Sequence, residues 1–286
     1  MNRTCKIVLA ITLVLLCHTA LHAQDSAVAI ERPVLSAYTI EAGTSHIADT
    51  YLSPLKYDGP KLGFSYERMQ AMRFNPQKWV LRLKWGINGD MTRNPARSTS
   101  IYGLNIDFGW GMAHRWHVAD NWTFMAGGST GIDAGILYAA HNSNNPVSAK
   151  AAWTVNALGA AVYNGKIGRV PFCARYLAEM PLTGVFFSPE YGQLYYEIYL
   201  GNHSNLARVA WPGNFFRLNN LATVDLRLGR TIVRLGYRCL IMSTKTSGIV
   251  TRDISHTAVI GFVSEWLSLS AGRKSVDKAK IINALY

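Results

Sequence analysis

The sequence predicts an all-β protein: a closed, antiparallel, up-and-down transmembrane β-barrel of about twelve strands, with ten as the alternative count. Three observations predict it. Long segments alternate with a period of two, apolar residues on one face and Gly, Asn, Thr or single charges on the other. Aromatic rings stand at the ends of successive segments. Short and long links take turns along the chain. The composition agrees. Of 286 residues, 16% are charged and 11% aromatic, and 24 are Gly. This excludes a disordered chain, a collagen-like repeat and a coiled coil. No run of 18 apolar residues outside the N-terminus offers a membrane helix.

The first element is an address. Arg3 and Lys6 precede the apolar stretch Ile7 to Cys17, and Leu21-His22-Ala23 ends in a small residue, so residues 1–23 read as a secretory signal peptide. Leu16 is too large for lipoprotein processing at Cys17. Removing Arg3 and Lys6 leaves 27 basic against 17 acidic residues, a net +10 where the full chain has +12. The cations are scattered singly, with no dense basic helix or aromatic-interleaved groove, so nucleic acid is excluded as a partner. Anionic headgroups of outer-membrane lipid are the expected counter-charges. Cys173 and Cys239 are too few for a disulfide scaffold and read as free thiols.

Residues 24–33 form a short periplasmic segment, and the barrel is expected over 34–269. Its clearest strands are Trp79 to Asn88, Tyr102 to Ala113 and Thr231 to Ile241. In the second, Tyr102, Leu104, Ile106, Phe108, Trp110 and Met112 oppose Gly103, Asn105, Asp107, Gly109, Gly111 and Ala113. A soluble β-sandwich also alternates, but it turns small and charged residues outward. Lipid demands the inverse and requires a closed sheet, because it offers the backbone no hydrogen bonds. Phe74 and Trp79, Trp116 and Trp122, and Tyr163 and Phe172 flank successive turns as an interfacial girdle.

Loop parity sets the count. Short links are read near 75–78, 117–121, 164–169, 201–205 and 229–230. Long ones are read near 48–61, 89–99, 139–149, 183–192 and 244–255. Twelve strands then begin near Val34, Leu62, Trp79, Ser100, Trp122, Lys150, Val170, Gln193, Leu206, Leu218, Thr231 and His256. Residues 270–286 form a polar tail containing Arg273, Lys274, Asp277, Lys278 and Lys280, either a periplasmic helix or a loose end.

Several segments resemble a known family. Asp49-Thr50-Tyr51-Leu52-Ser53-Pro54-Leu55, Asn142-Ser143-Asn144-Asn145-Pro146, Ser148-Ala149-Lys150, Phe187-Ser188-Pro189-Glu190-Tyr191-Gly192-Gln193 and Tyr195-Tyr196-Glu197-Ile198 are similar to DUF3316. That is a domain-of-unknown-function family of Bacteroidota secreted proteins, and the resemblance covers about Tyr38 to Leu269. It implies an outer-membrane barrel and no assigned activity, so no catalytic residue carries over.

The expected lumen carries Glu67, Arg82, Lys84, Asp107, Asp133, Arg175, Glu179, Glu197, Asp225, Arg227, Arg234, Arg238 and Glu265. Charges of both signs on neighbouring strands pair into a plug or leave a narrow charged channel. Outside loops offer Phe186, Phe187, Glu190, Tyr191 and Trp211 as binding candidates. Asn202-His203-Ser204-Asn205 tests for catalysis. Ser204 and His203 match the residue types of a barrel lipid hydrolase, but neighbouring residues rarely hold a base against a hydroxyl, and turn chemistry explains them. His46, His114, His117, His141 and His256 lack metal-ligand spacing, so no metal or cofactor is expected. The sequence therefore reads as a non-enzymatic outer-membrane barrel, either a restricted channel or a structural and surface-interaction protein. A barrel lipid hydrolase and a soluble periplasmic glycan-binding β-sandwich are the alternatives.

Overall fold

The computed structural model of the protein describes residues 30–143, 145–266 and 280–285. The expected signal peptide, residues 24–29 and most of the polar tail lie outside the described residues. The chain divides into two units. In the smaller, β1 (Ile30–Glu31) pairs in parallel with β13 (Lys280–Ile281). The larger holds the barrel, together with Ile282 to Leu285.

The barrel strands are β2 (Val34–Asp49), β3 (Lys56–Ala71), β4 (Trp79–Arg93), β5 (Ser100–His117), β6 (Trp122–Tyr138), β7 (Val147–Ile167), β8 (Val170–Phe187), β10 (Phe215–Leu228), β11 (Thr231–Thr246) and β12 (Ile249–Trp266). Each pairs antiparallel with the next. The ring closes twice, β12 on β2 from Trp266↔Val34 to Thr251↔Asp49, and β8 on β10 from Phe172↔Leu226 to Glu179↔Asn219. Closure satisfies the ladder on both sides of every crossing, which a wall facing lipid requires.

The closed antiparallel barrel is as the alternation requires, and it has ten strands, the lower of the two counts. The segment from Gln193 is not a strand but the short helix α1 (Tyr195–Tyr199). The segment from Leu206 contributes only β9 (Ala207–Ala210), a four-residue strand against the upper end of β8. Four residues span about 13 Å at 3.3 Å each, roughly half the apolar band of a barrel. The 201–205 turn therefore lies with the long loops and not on the periplasmic side. Residues 188–214 are one connection.

The strands also outrun their expected ends, at 14 to 21 residues each. A crossing needs only about ten residues. Two links read as long accordingly shrink: β2 and β3 are joined by residues 50–55, and β11 and β12 by a tight turn at Ser247-Gly248, whose φ values are 48° and 78°. Glycines on the inner face admit close strand approach. At the β2–β12 seam, a Cβ on Gly43 would lie 1.9 Å from the His256 carbonyl oxygen.

The outer wall is apolar, with Ile40, Leu62, Trp85, Ile106, Phe108, Trp110, Ile132, Trp153, Leu235, Ile260 and Phe262 exposed. This removes the soluble sandwich, whose apolar side chains would face inward. The ring contacts of the short-turn end are present: Phe74–Trp79 at 6.2 Å, Tyr163–Phe172 at 5.9 Å and Trp122–Tyr163 at 5.0 Å. One bulge reverses the pattern. Asn156 pairs with Pro181 but Val155 with Thr183, leaving Leu182 unpaired. Pro181 has no N–H to give the ladder, so the bulge falls there. Beyond it the inward positions of β8 switch from odd to even numbers.

Candidate functional site: a lumen filled in tiers under a loop cap

The interior is layered. At the short-turn end lies an apolar floor in which Leu35, Met69, Val80, Met125, Leu158, Val162, Leu177, Ile232 and Val263 pack with Ala284 and Leu285. The end of the chain is held there by carbonyl contacts. The Arg115 guanidinium donates to the carbonyls of Asn283 (2.6 Å), Pro76 (2.6 Å) and Gln77 (2.7 Å). The Asn164 side chain donates to Leu285 O at 2.9 Å. These residues belong to the tail expected to be a helix or a loose end; they are neither.

Above the floor stands an ionic layer. Glu67 on β3 accepts from Arg82 Nε (2.6 Å), Arg175 (2.5 Å) and Arg234 (2.9 Å). Arg234 also forks onto Asp225, with both bonds at 2.7 Å. Glu179 on β8 receives Lys84 at 3.1 Å, the Ser129 hydroxyl at 2.6 Å and Arg82 at 3.4 Å. Glu67 to Arg175, Glu67 to Arg234 and Arg82 to Glu179 join strands that are not neighbours in the barrel. They are struts across the lumen. Charge-assisted contacts of this kind are strong, and the fork of Arg234 onto Asp225 fixes the orientation of its guanidinium.

The layer floors a chamber of about 140 Å³, bounded by Glu41, Lys61, Asp90, Asp133, Arg217, Arg238 and Asp253. Its walls are paired as well: Arg238 with Glu41 at 2.9 Å, Lys61 with Asp90 at 3.2 Å, and Arg217 with Asp133. Asn219 Nδ2 and Thr223 Oγ1 are buried beside it without protein partners. A polar space of this size has room for waters that satisfy them.

The outer mouth is crossed by the segments that carry the family resemblance, which are hydrogen-bonded to one another. Asp49 receives Lys150 (2.7 Å) and the Ser148 hydroxyl (3.1 Å). The Tyr51 hydroxyl donates to Gln193 O at 2.8 Å and meets the Asn145 amide. The Asn142 amide donates to Leu52 O at 2.7 Å. Tyr195 on α1 accepts from the Ala149 N–H at 2.6 Å and meets the Tyr51 ring edge-on at 5.7 Å. Burial pushes the Tyr195 phenol up to about 12. Leu52 buries against Tyr57, Ile101 and Ala139 beneath this cap.

Most sequence-predicted lumen residues face inward: Glu67, Arg82, Lys84, Asp107, Asp133, Arg175, Glu179, Asp225, Arg227, Arg234, Arg238 and Glu265. Glu197 does not; it sits in the first turn of α1. Alternation within the expected strand bounds missed Glu41, Asp49, Lys61, Asp90, Arg115, Lys150, Arg217 and Asp253. Extending the same parity a few residues toward the long loops recovers most of them. With these included, the inward face carries equal numbers of acidic and basic side chains.

Two expectations for the loops are corrected. Phe186 is not displayed outside. It lies beyond the bulge, points inward and is buried with Ala210 and Phe215. Phe187 stacks on Tyr195 at 6.4 Å as part of the cap. Tyr191 and Trp211 are exposed, and Glu190 pairs with Arg208 at 3.2 Å. The Ser204 hydroxyl donates to Asn202 Oδ1 at 2.7 Å, which is turn chemistry. Among the described residues no cluster of His, Cys, Asp or Glu could hold a metal ion.

The model of one family, described as a protein of unknown function (DUF3316), matches residues 7–273. The chain belongs to the DUF3316 family. No curated protein matches it. Among solved structures, this DUF3316 chain is similar to the translocator domain of the autotransporter NalP from Neisseria meningitidis. That similarity has 9% identity and a TM-score of 0.38, over 90% of this chain and 96% of the other. It is also similar to the transport unit of the autotransporter AIDA-I from Escherichia coli, with 9% identity and a TM-score of 0.37, over 85% of this chain and 92% of the other.

Proposed function

We propose that this DUF3316 protein is an outer-membrane barrel that does not conduct solutes and works through its capped outer face, as a structural or surface-interaction protein. The observation carrying the proposal is the set of ion pairs that strut non-neighbouring strands across the lumen. A solute would have to separate Glu67 from arginines on β4, β8 and β11. The apolar floor lies across the same path below, and the cross-linked loops narrow it above. The exposed apolar wall, the ring-lined short-turn end and the signal-like residues 1–23 support placement in the outer membrane. Of the two roles expected from the sequence, the filled lumen favours the second over a restricted channel. No observation favours the lipid hydrolase.

Two measurements test this reading. Unboiled protein from the outer-membrane fraction should migrate faster on a gel than boiled protein, as intact barrels do. Refolded protein in a planar bilayer should stay silent; sustained discrete currents would overturn the non-conducting reading.

A further inference from the structure

The charge of the protein is segregated. Because acids and bases balance on the inward face, the excess of cations among the described residues lies on outward-facing and loop positions. At the long-loop end one sector of the outer wall is distinctive. Arg252 on β12 stands in register with Ala48 on β2, and Ala48 with Lys56 on β3. Arg93 on β4 is in register with Asp58 on β3, two residues beyond Lys56, and Lys245 is the penultimate residue of β11, the strand next to β12. All four cations are exposed. Among the described residues none of the four has a carboxylate within 4.0 Å. Asp58, the acid on the outward face of β3 there, is bridged to His46 at 2.6 Å.

Neighbouring strands lie about 4.8 Å apart, so these cations span an arc of roughly 15–20 Å. Further along the wall the outward positions are apolar, with Ile254, Leu62, Ile87 and Met91 exposed, and Asp58 on β3 and His46 on β2 intervene on those two strands. The cations therefore stand at the height where lipid headgroups begin, with aliphatic stems able to lie along the wall. On β5 and β6 the corresponding outward positions carry Tyr102 and Tyr138 and no charge. The cationic sector is one-sided.

Resting on the outer-membrane reading above, we infer that Lys56, Arg93, Lys245 and Arg252 form a docking sector for phosphate-bearing glycolipid headgroups of the outer leaflet. The arc is wide enough for more than one phosphate, and its position at the edge of the lipid-facing wall favours a headgroup over a macromolecule. Guanidinium forks suit phosphate oxygens, and lysines add point charge. Basic residues at a membrane surface each strengthen anionic-lipid binding several-fold at low salt.

The test uses the full chain refolded in neutral detergent micelles doped with bisphosphorylated lipid A, with retained lipid counted by native mass spectrometry. The parent should retain lipid A, and K56S/K245S/R252S should bind it about a hundredfold more weakly, roughly fivefold per charge removed. K78S/K166S/R169S, at the short-turn end, should match the parent. Equal retention by the first triple variant and the parent would overturn the inference, as would equal retention of dephosphorylated lipid A. Displacement by millimolar inorganic phosphate would overturn the lipid assignment in favour of a free-phosphate site. Heat-shifted gel mobility of each variant verifies folding, since all substituted side chains are exposed. Membrane fractionation is read separately, so failure of the outer-membrane reading is distinguishable from failure at the rim.

Discussion

Replacing Glu67 with Ala should destabilise the barrel by about 3–5 kcal/mol, the cost of breaking one buried ion pair and stranding its partner. The structure says why the figure belongs to one pair and not three. Glu67 is 7% exposed and accepts from three arginines. Arg234 keeps its two bonds to Asp225, and Arg82 keeps Glu179. Arg175 keeps only a contact to Met69 sulfur, with its Nε already unpartnered. One guanidinium is thus left without an acid in a tier bounded below by aliphatic side chains. Glu67→Gln retains an acceptor of the same shape and should lose less, about half. The assay is urea unfolding in lipid vesicles, followed by tryptophan fluorescence and by unboiled gel mobility. The midpoint should fall with an unchanged slope, because the surface exposed on unfolding is the same. A loss below about 1 kcal/mol for Glu67→Ala would refute the reasoning, since it would mean that Glu67 is solvated and the lumen open to water.

Leu285→Ala should cost about 2–4 kcal/mol, because Leu285 is 3% exposed within the apolar floor; an unchanged urea midpoint would show that the chain end does not seal the barrel. Gly43→Ala should fail to reach the heat-resistant fast-migrating form, because its Cβ would meet the His256 carbonyl oxygen at 1.9 Å and force the β2–β12 seam apart; normal refolding yield would contradict the close approach. Tyr195 should titrate late. Its phenol is pushed up to about 12 by burial, above the ordinary value of 10. The cap's stability from this group is therefore full below pH 10 and lost as pH rises through 12. Alkaline absorbance titration should show one phenol with that midpoint, missing in Tyr195→Phe, and a Tyr195 midpoint near 10 would contradict its burial.

The fold class and the direction of the wall were legible because strand alternation is local: Tyr102 to Ala113 states its two faces in twelve consecutive residues. The strand count was less legible. Loop parity treated Leu206 to Trp211 as a crossing, yet length decides whether a strand can span lipid, and β9 has only four residues. Phe186 was misplaced for a different reason. Residues 183–192 read as a long link, but β8 runs on to Phe187, and the bulge opposite Pro181 turns its even positions inward. A proline within an alternating run is a signal for such a shift. The candidate site was legible as a set of inward charges but not as partners. Glu67 and Arg234 are 167 residues apart and meet only because closure brings β3 and β11 to the same lumen.

The sequence by itself determined that this chain alternates, that its apolar face is the longer and more aromatic one, and that its inner face mixes charges of both signs with glycine. Those properties reside in neighbouring residues and the two-residue repeat of a strand. Only the tertiary structure decided that the barrel has ten strands, that its charges strut the lumen, and that residues 282–285 seal one end while the resemblance segments knit the other. The physical reason is that ring closure sets which distant side chains share a height, and no local pattern encodes a height.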